Sequence, residues 1–76
     1  MQERCFDFRR DRCPSLLSRI ISVLESCPPK STVTILFDDA RMSVRLPRFL
    51  PLYGTRLVEL HKQKGRYWRA IIYKGP

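Results

Sequence analysis

Polar and apolar residues alternate near the start of the chain, and the alternation predicts a strand. In Cys5-Phe6-Asp7-Phe8-Arg9 the two phenylalanines share one face. Arg10-Asp11-Arg12 is polar and reads as a loop. The period then changes. Leu17, Ile20, Ile21 and Leu24 recur at i, i+3, i+4, i+7, the signature of one buried helical face. Pro14 suits the first helical position, where its missing N–H costs nothing. Pro28-Pro29 ends the segment. A helix is therefore predicted from about Pro14 to Ser26.

Thr32 to Phe37 is β-branched and alternating, with Val33, Ile35 and Phe37 on one face. Asp38-Asp39 offers an N-cap to a second helical stretch from Ala40 to Tyr53, with Gly54 as its stop. Pro47 is expected to divide that stretch into two short pieces or to kink it. Arg56 to Lys62 and Tyr67 to Lys74 read as two strands joined by the hairpin Gln63-Lys64-Gly65-Arg66. Trp68, Ala70 and Ile72 form the inner face of the last. The expected fold is α+β, a two-layer sandwich of order β-α-β-α-β-β, with two helices on one face of a four-stranded mixed sheet. There are no repeats and no internal linker, so residues 1–76 are expected to form a single domain.

Composition narrows the function. The chain has 76 residues and is 43% hydrophobic and 29% charged, an ordinary globular balance. A core this small leaves little room for a deep cleft, so surface chemistry or a partner-completed site is expected. No apolar run reaches the roughly 18 residues of a membrane span. Met1-Gln2-Glu3-Arg4 opens no signal-peptide core, so a cytoplasmic location and no membrane contact are expected. The net charge is +8, which suggests an acidic partner surface, a nucleic acid or a long-range steering field.

The cysteines are Cys5, Cys13 and Cys27, an odd set with irregular spacing and no C-x-x-C pair. Neither a disulfide framework nor a zinc site is indicated, and neither a metal nor a cofactor is expected. Cys13 is the residue with chemistry. It precedes a helix, facing unpaired N–H groups and the positive end of the dipole, with Arg9, Arg10 and Arg12 close in sequence. A free thiol has a pKa of ~8.5, and lowering it by about one to two units would ionise a large fraction near neutrality. The dipole alone, at ~0.3–1 kcal/mol, gives less than one unit, so arginines must supply the rest. Physics alone leaves a reactive thiolate and a cysteine that merely fills the position both open. Cys5 reads as a small core residue at a strand start, and Cys27 lies at a helix end where the dipole disfavours a thiolate. Helix capping explains Asp38 and Asp39 better than an acid pair does. His61 reads as an exposed strand histidine.

The basic residues fall into two groups. Arg19 joins the arginines around Cys13. Arg56, Lys62, Lys64, Arg66, Arg69 and Lys74 lie on the last two strands, interleaved with Tyr67, Trp68 and Tyr73. Cations with aromatics on an open sheet can bind single-stranded RNA by stacking. Arg19, Arg56, Lys64, Arg66 and Arg69 are therefore candidate contacts for a partner or for RNA.

Asp7-Phe8-Arg9-Arg10-Asp11-Arg12-Cys13-Pro14 resembles the D-x-x-G-x-x-C-P-x-P segment of the TusA/SirA-like sulfur-carrier family. Cys27-Pro28-Pro29-Lys30, Leu36-Phe37-Asp38-Asp39, Leu46-Pro47-Arg48-Phe49 and Tyr67 to Lys74 resemble the family's later motifs, at matching spacing. The resemblance implies a fold similar to the C-terminal domain of the bacterial third initiation factor. It implies a sulfur carrier, or sulfurtransferase, with Cys13 holding sulfur as a persulfide and Pro14 as the motif's first proline; the nearby Arg9, Arg10 and Arg12 are expected to support the sulfur anion by their charge. Its partners would be a sulfur-donor protein (a cysteine desulfurase or rhodanese-like protein) and an acceptor protein, in tRNA thiolation, cofactor sulfuration or sulfur-compound metabolism. A monomer is expected. The alternative is a non-catalytic RNA-binding or regulatory module using the basic sheet face. Two positions depart from the motif. Leu16 replaces its second proline and relaxes the first helical turn. Arg10 stands at its glycine, whose positive φ an arginine adopts only at a cost.

Overall fold

A computed structural model describes residues 3–12 and 14–76. Strand β1 spans Glu3–Phe8, helix α1 Ser15–Ser26, strand β2 Thr32–Phe37 and helix α2 Ala40–Phe49. A 3-10 turn, Leu50–Tyr53, then leads to β3, Thr55–Gln63, and β4, Tyr67–Lys74. The sheet order is β1-β2-β4-β3, with β1 and β2 parallel and the remaining pairs antiparallel. This is the mixed sheet and element order that the hydrophobic pattern predicts.

Both helices cover the same face. Leu16, Ile20 and Leu24 of α1, and Met42 and Leu46 of α2, join one core with Val33, Ile35, Phe37, Ala70 and Ile72. In β2 the alternation places Val33, Ile35 and Phe37 inside as expected. On α1 Ile20 and Leu24 are buried as expected, but Leu16 completes the buried row, while Leu17 and Ile21 are only partly buried at its side. Apolar side chains at 16, 17, 20, 21, 23 and 24 make a stripe wider than the contact, and the row at i, i+4, i+8 takes its centre. Cys5 also corrects the sequence reading. It points away from the side of Phe6 and Phe8 and is exposed on the open sheet face, while Cys27 is buried in the core.

Pro47 does not break α2. It is exposed, so water can serve the carbonyl that its missing N–H leaves unbonded, and the helix runs on to Phe49. The division comes later, at the 3-10 turn holding Pro51. Gly54 then reverses the chain at φ 69° and donates its N–H to the Leu50 carbonyl. In β3 a bulge between Leu57 and Glu59 leaves Val58 exposed. The bulge lets Leu57 and Leu60, three residues apart, both pack against the core.

Lys74, grouped by sequence with the basic strand residues, has another role. Its Nζ donates to the carbonyls of Leu24 at 2.7 Å, Glu25 at 3.2 Å and Cys27 at 2.5 Å, at the negative end of α1. Last-turn carbonyls have no intrahelical donor, and this ammonium serves them from the far end of the chain. Lys74→Met keeps the stem and removes the donors. We expect it to lower stability by about 1–3 kcal/mol, read as a reduced urea midpoint at unchanged m-value.

Candidate functional site

The C-terminal ends of β1 and β2 and the β3–β4 hairpin lie at one edge of the sheet, as the registers Phe8 with Phe37 and Phe37 with Trp68 require. Three loops meet there: residues 9–12, Asp38-Asp39, and residues 64–66. Cys13 lies outside the described residues. Its chain neighbours, Arg12 and Pro14, are both described and exposed.

The first loop leaves β1 in a turn closed by the Asp11 N–H donating to the Phe8 carbonyl at 3.0 Å. Among the described residues, positive φ outside glycine occurs only at Lys30 and Lys64. Arg10 therefore carries no left-handed strain, and the turn at this position does not need glycine. Pro14 occupies the position before the helix, one earlier than expected, at φ −86° and ψ −15°. Helical bonding nonetheless begins at once, since the Arg12 carbonyl accepts from Leu16 N at 2.9 Å and from Ser15 Oγ at 3.1 Å. No acidic residue sits in the first turn of α1, so its positive end is not offset from within the helix.

Three of the arginines expected to frame Cys13 or meet a partner are matched by carboxylates. Arg9 grips Asp7 through its guanidinium at 2.7 Å and its backbone N–H at 3.0 Å. Those hydrogen bonds hold the Asp7 carboxyl below its ordinary range. The stabilisation they give is present above the ordinary carboxylate pKa and fades as pH falls through the depressed one. Both groups are about half exposed, so solvent keeps it small. Arg19 reaches Asp11 at 3.4 Å. Arg12 pairs with Asp38 and donates to the Asp11 carbonyl at 3.1 Å.

The Asp pair thus divides its work. Asp39 caps α2 by accepting from Arg41 N at 2.9 Å, as expected. Asp38, also expected to cap, instead ties the end of β2 to the residue before Cys13. That role was hidden in the sequence because the partners are 26 positions apart. His61 is exposed and meets Glu59 at 3.1 Å.

Around the edge, Asp7, Arg9, Arg10, Asp11, Asp38, Lys64, Arg66 and Tyr67 line an open concavity of about 730 Å³. Of the residues predicted from sequence, it brings together Arg9, Arg10, Lys64 and Arg66. Arg56 and Arg69 lie elsewhere, on exposed positions of β3 and β4. Arg56 covers the ring of Tyr73, its guanidinium 5.6 Å from the centroid. Tyr67, unremarked as a site residue, is covered by Arg9 at 4.8 Å. Trp68 stacks on Phe37 at 5.8 Å and meets Lys62 at 4.9 Å.

A positively biased loop at a helix start, ending in a cysteine, agrees in its residues with a known family. The family described as Sulfurtransferase TusA matches residues 5–74. The chain belongs to the TusA sulfurtransferase family. A relative from Archaeoglobus fulgidus, which carries the name "Putative sulfur carrier protein", is 29% identical over 68 residues, 90% of this chain and 92% of that protein. The TusA match spans all of the described loops at the sheet edge. No helix among the described residues is long and apolar enough to cross a membrane.

Proposed function

We propose that this protein is a sulfur carrier, with Cys13 as the carrying residue. The observation that supports this most strongly is the family match over residues 5–74, which includes the Cys13-Pro14 step. In the proposed reaction the Cys13 thiolate attacks the outer sulfur of a persulfide on a donor protein. A new S–S bond forms at Cys13 as the donor's S–S bond breaks, and the donor leaves as its thiolate. An acceptor thiolate then takes the outer sulfur from Cys13 by the same exchange. Each step trades one S–S bond for another, so no external oxidant or reductant is consumed.

The exposed neighbours suit this work, because the carried sulfur has to enter a partner's site. Donor and acceptor are accordingly proteins. RNA binding through the sheet face is less well supported, since Tyr67, Tyr73 and Trp68 all carry cation contacts on their rings. The decisive experiment treats the protein with a persulfide donor and locates added sulfur by peptide mass spectrometry. Sulfur on Cys13 is expected. No label there, or label shared equally with Cys5 and Cys27, refutes the reading.

The Arg12–Asp38 pair makes a second prediction. Asp38 neutralises the cation adjacent in sequence to Cys13. Asp38→Asn removes a negative charge and releases a positive one, and both changes favour a thiolate. The rate of Cys13 alkylation by iodoacetamide near neutral pH should rise by roughly three- to tenfold. The difference should vanish at a pH where the thiol is fully ionised, and Asp38→Glu should behave as the parent protein.

A further inference from the structure

The ion pairs at the sheet edge leave a remainder. The carboxylates lining the concavity are each matched: Asp7 by Arg9, Asp11 by Arg19, and Asp38 by Arg12. Arg10, Lys64 and Arg66 line the same concavity and make no direct ion pair among the described residues, although Arg10 lies close enough to Asp7 to act on its charge. They come from two loops distant in sequence. Lys64 and Gly65, both at positive φ, turn the hairpin, and Arg66 N closes it on the Gln63 carbonyl at 2.9 Å. A tight turn of this kind holds the two cations on a short, fixed tip opposite Arg10.

We propose that this concavity docks a carboxylate-bearing segment of the partner protein, held by Arg10, Lys64 and Arg66. The inference rests on the sulfur-carrier reading for the identity of the partner as a donor or acceptor. The charge pattern selects the chemistry. Three cations outside the ion pairs attract an anionic group, and the ion-paired carboxylates that share the lining leave them as separate points of charge and not as a continuous basic track for phosphates. A folded segment presenting a few spaced Asp or Glu side chains can meet the cations singly and avoid the acids. The aromatic surface argues the same way: Tyr67, the one ring in the concavity, already lies under the Arg9 guanidinium, where a base would have to stack. Docking here would set the partner's reactive sulfur beside the loop that leads into Cys13. Attraction over this distance also accelerates encounter, so transfer should slow as salt rises.

The test measures binding of a fluorescent oligoglutamate peptide by anisotropy, with an oligouridylate of equal charge in parallel. Lys64→Glu with Arg66→Glu is expected to weaken the peptide by about tenfold or more, and Arg10→Gln alone by about threefold. Lys30→Glu with Arg45→Glu lowers the net charge equally at exposed sites outside the concavity, and should change the affinity by less than about threefold. Equal weakening by both pairs overturns the proposal, because net charge then explains the binding. So does absence of peptide binding, or tighter binding of the oligouridylate that is lost in the Lys64 and Arg66 variant. The readout does not involve sulfur. A protein that binds the peptide but takes up no sulfur refutes the carrier reading, and one that takes up sulfur but ignores the peptide refutes the docking site.

Discussion

Cys13→Ser should abolish sulfur uptake altogether. A hydroxyl cannot replace the thiolate as attacking atom, since its pKa lies far above any working pH and exchange requires the ionised nucleophile. The substitution is nearly isosteric and lies between the exposed Arg12 and Pro14, so the far-UV spectrum and melting temperature should match the parent. Cys5 provides a control within the same molecule. It is exposed on the open sheet face, yet it lies on a strand, with no helix start behind it. Cys5→Ser should therefore leave uptake intact. Loss of uptake in the Cys5 variant, or its survival in the Cys13 variant, would reassign the carrying residue.

Leu16→Ala should produce the largest loss of stability of any single change near the site. Leu16 is fully buried, in the first turn of α1, where the family motif has a proline. Truncating a buried leucine costs about 2–5 kcal/mol, from lost transfer energy and the cavity left behind. The total stability of a domain this size is only about 4–11 kcal/mol at typical per-residue values. The melting temperature should fall by roughly 4–8 °C for each kcal/mol. Leu16→Pro should also destabilise. It removes the buried side chain and the 2.9 Å bond from Leu16 N to the Arg12 carbonyl, restoring the motif at the expense of this chain's own core. A melting temperature equal to or above the parent's in either variant would show that α1 does not depend on Leu16. The departure from the motif is thus a change of method. Where a proline would stiffen the turn through its ring, leucine anchors it through burial.

These residues also show what could be read in advance. β2 and β4 fell where alternation placed them, because β-branched runs bounded by prolines or a turn leave few other registers. The buried face of α1 was less legible, since six apolar positions offered more than one row. The outward position of Cys5 could have been read from sequence: once Phe6 and Phe8 are placed inside, period two puts Cys5 outside. Arg12 with Asp38, and Lys74 with the end of α1, had no local signal. Each joins segments that only the finished topology brings together. At the site itself, the sequence singled out the cysteine and its arginines. It did not reveal that most of those arginines are neutralised, nor which cations remain.

The reach of Lys74 links parts of the chain that a sequence diagram keeps apart. Its backbone donates to Ser31 and accepts from Lys30, while its ammonium holds the last turn of α1. That turn cannot fray alone; it opens only when the end of β4 lifts away as well. Amide protons of the last helical turn, of Lys30 and Ser31 and of the end of β4 should consequently share one hydrogen-exchange protection, as a single cooperative unit. Trimming a few residues from the C-terminus would then loosen α1 from behind, at the end opposite the loop that leads into it.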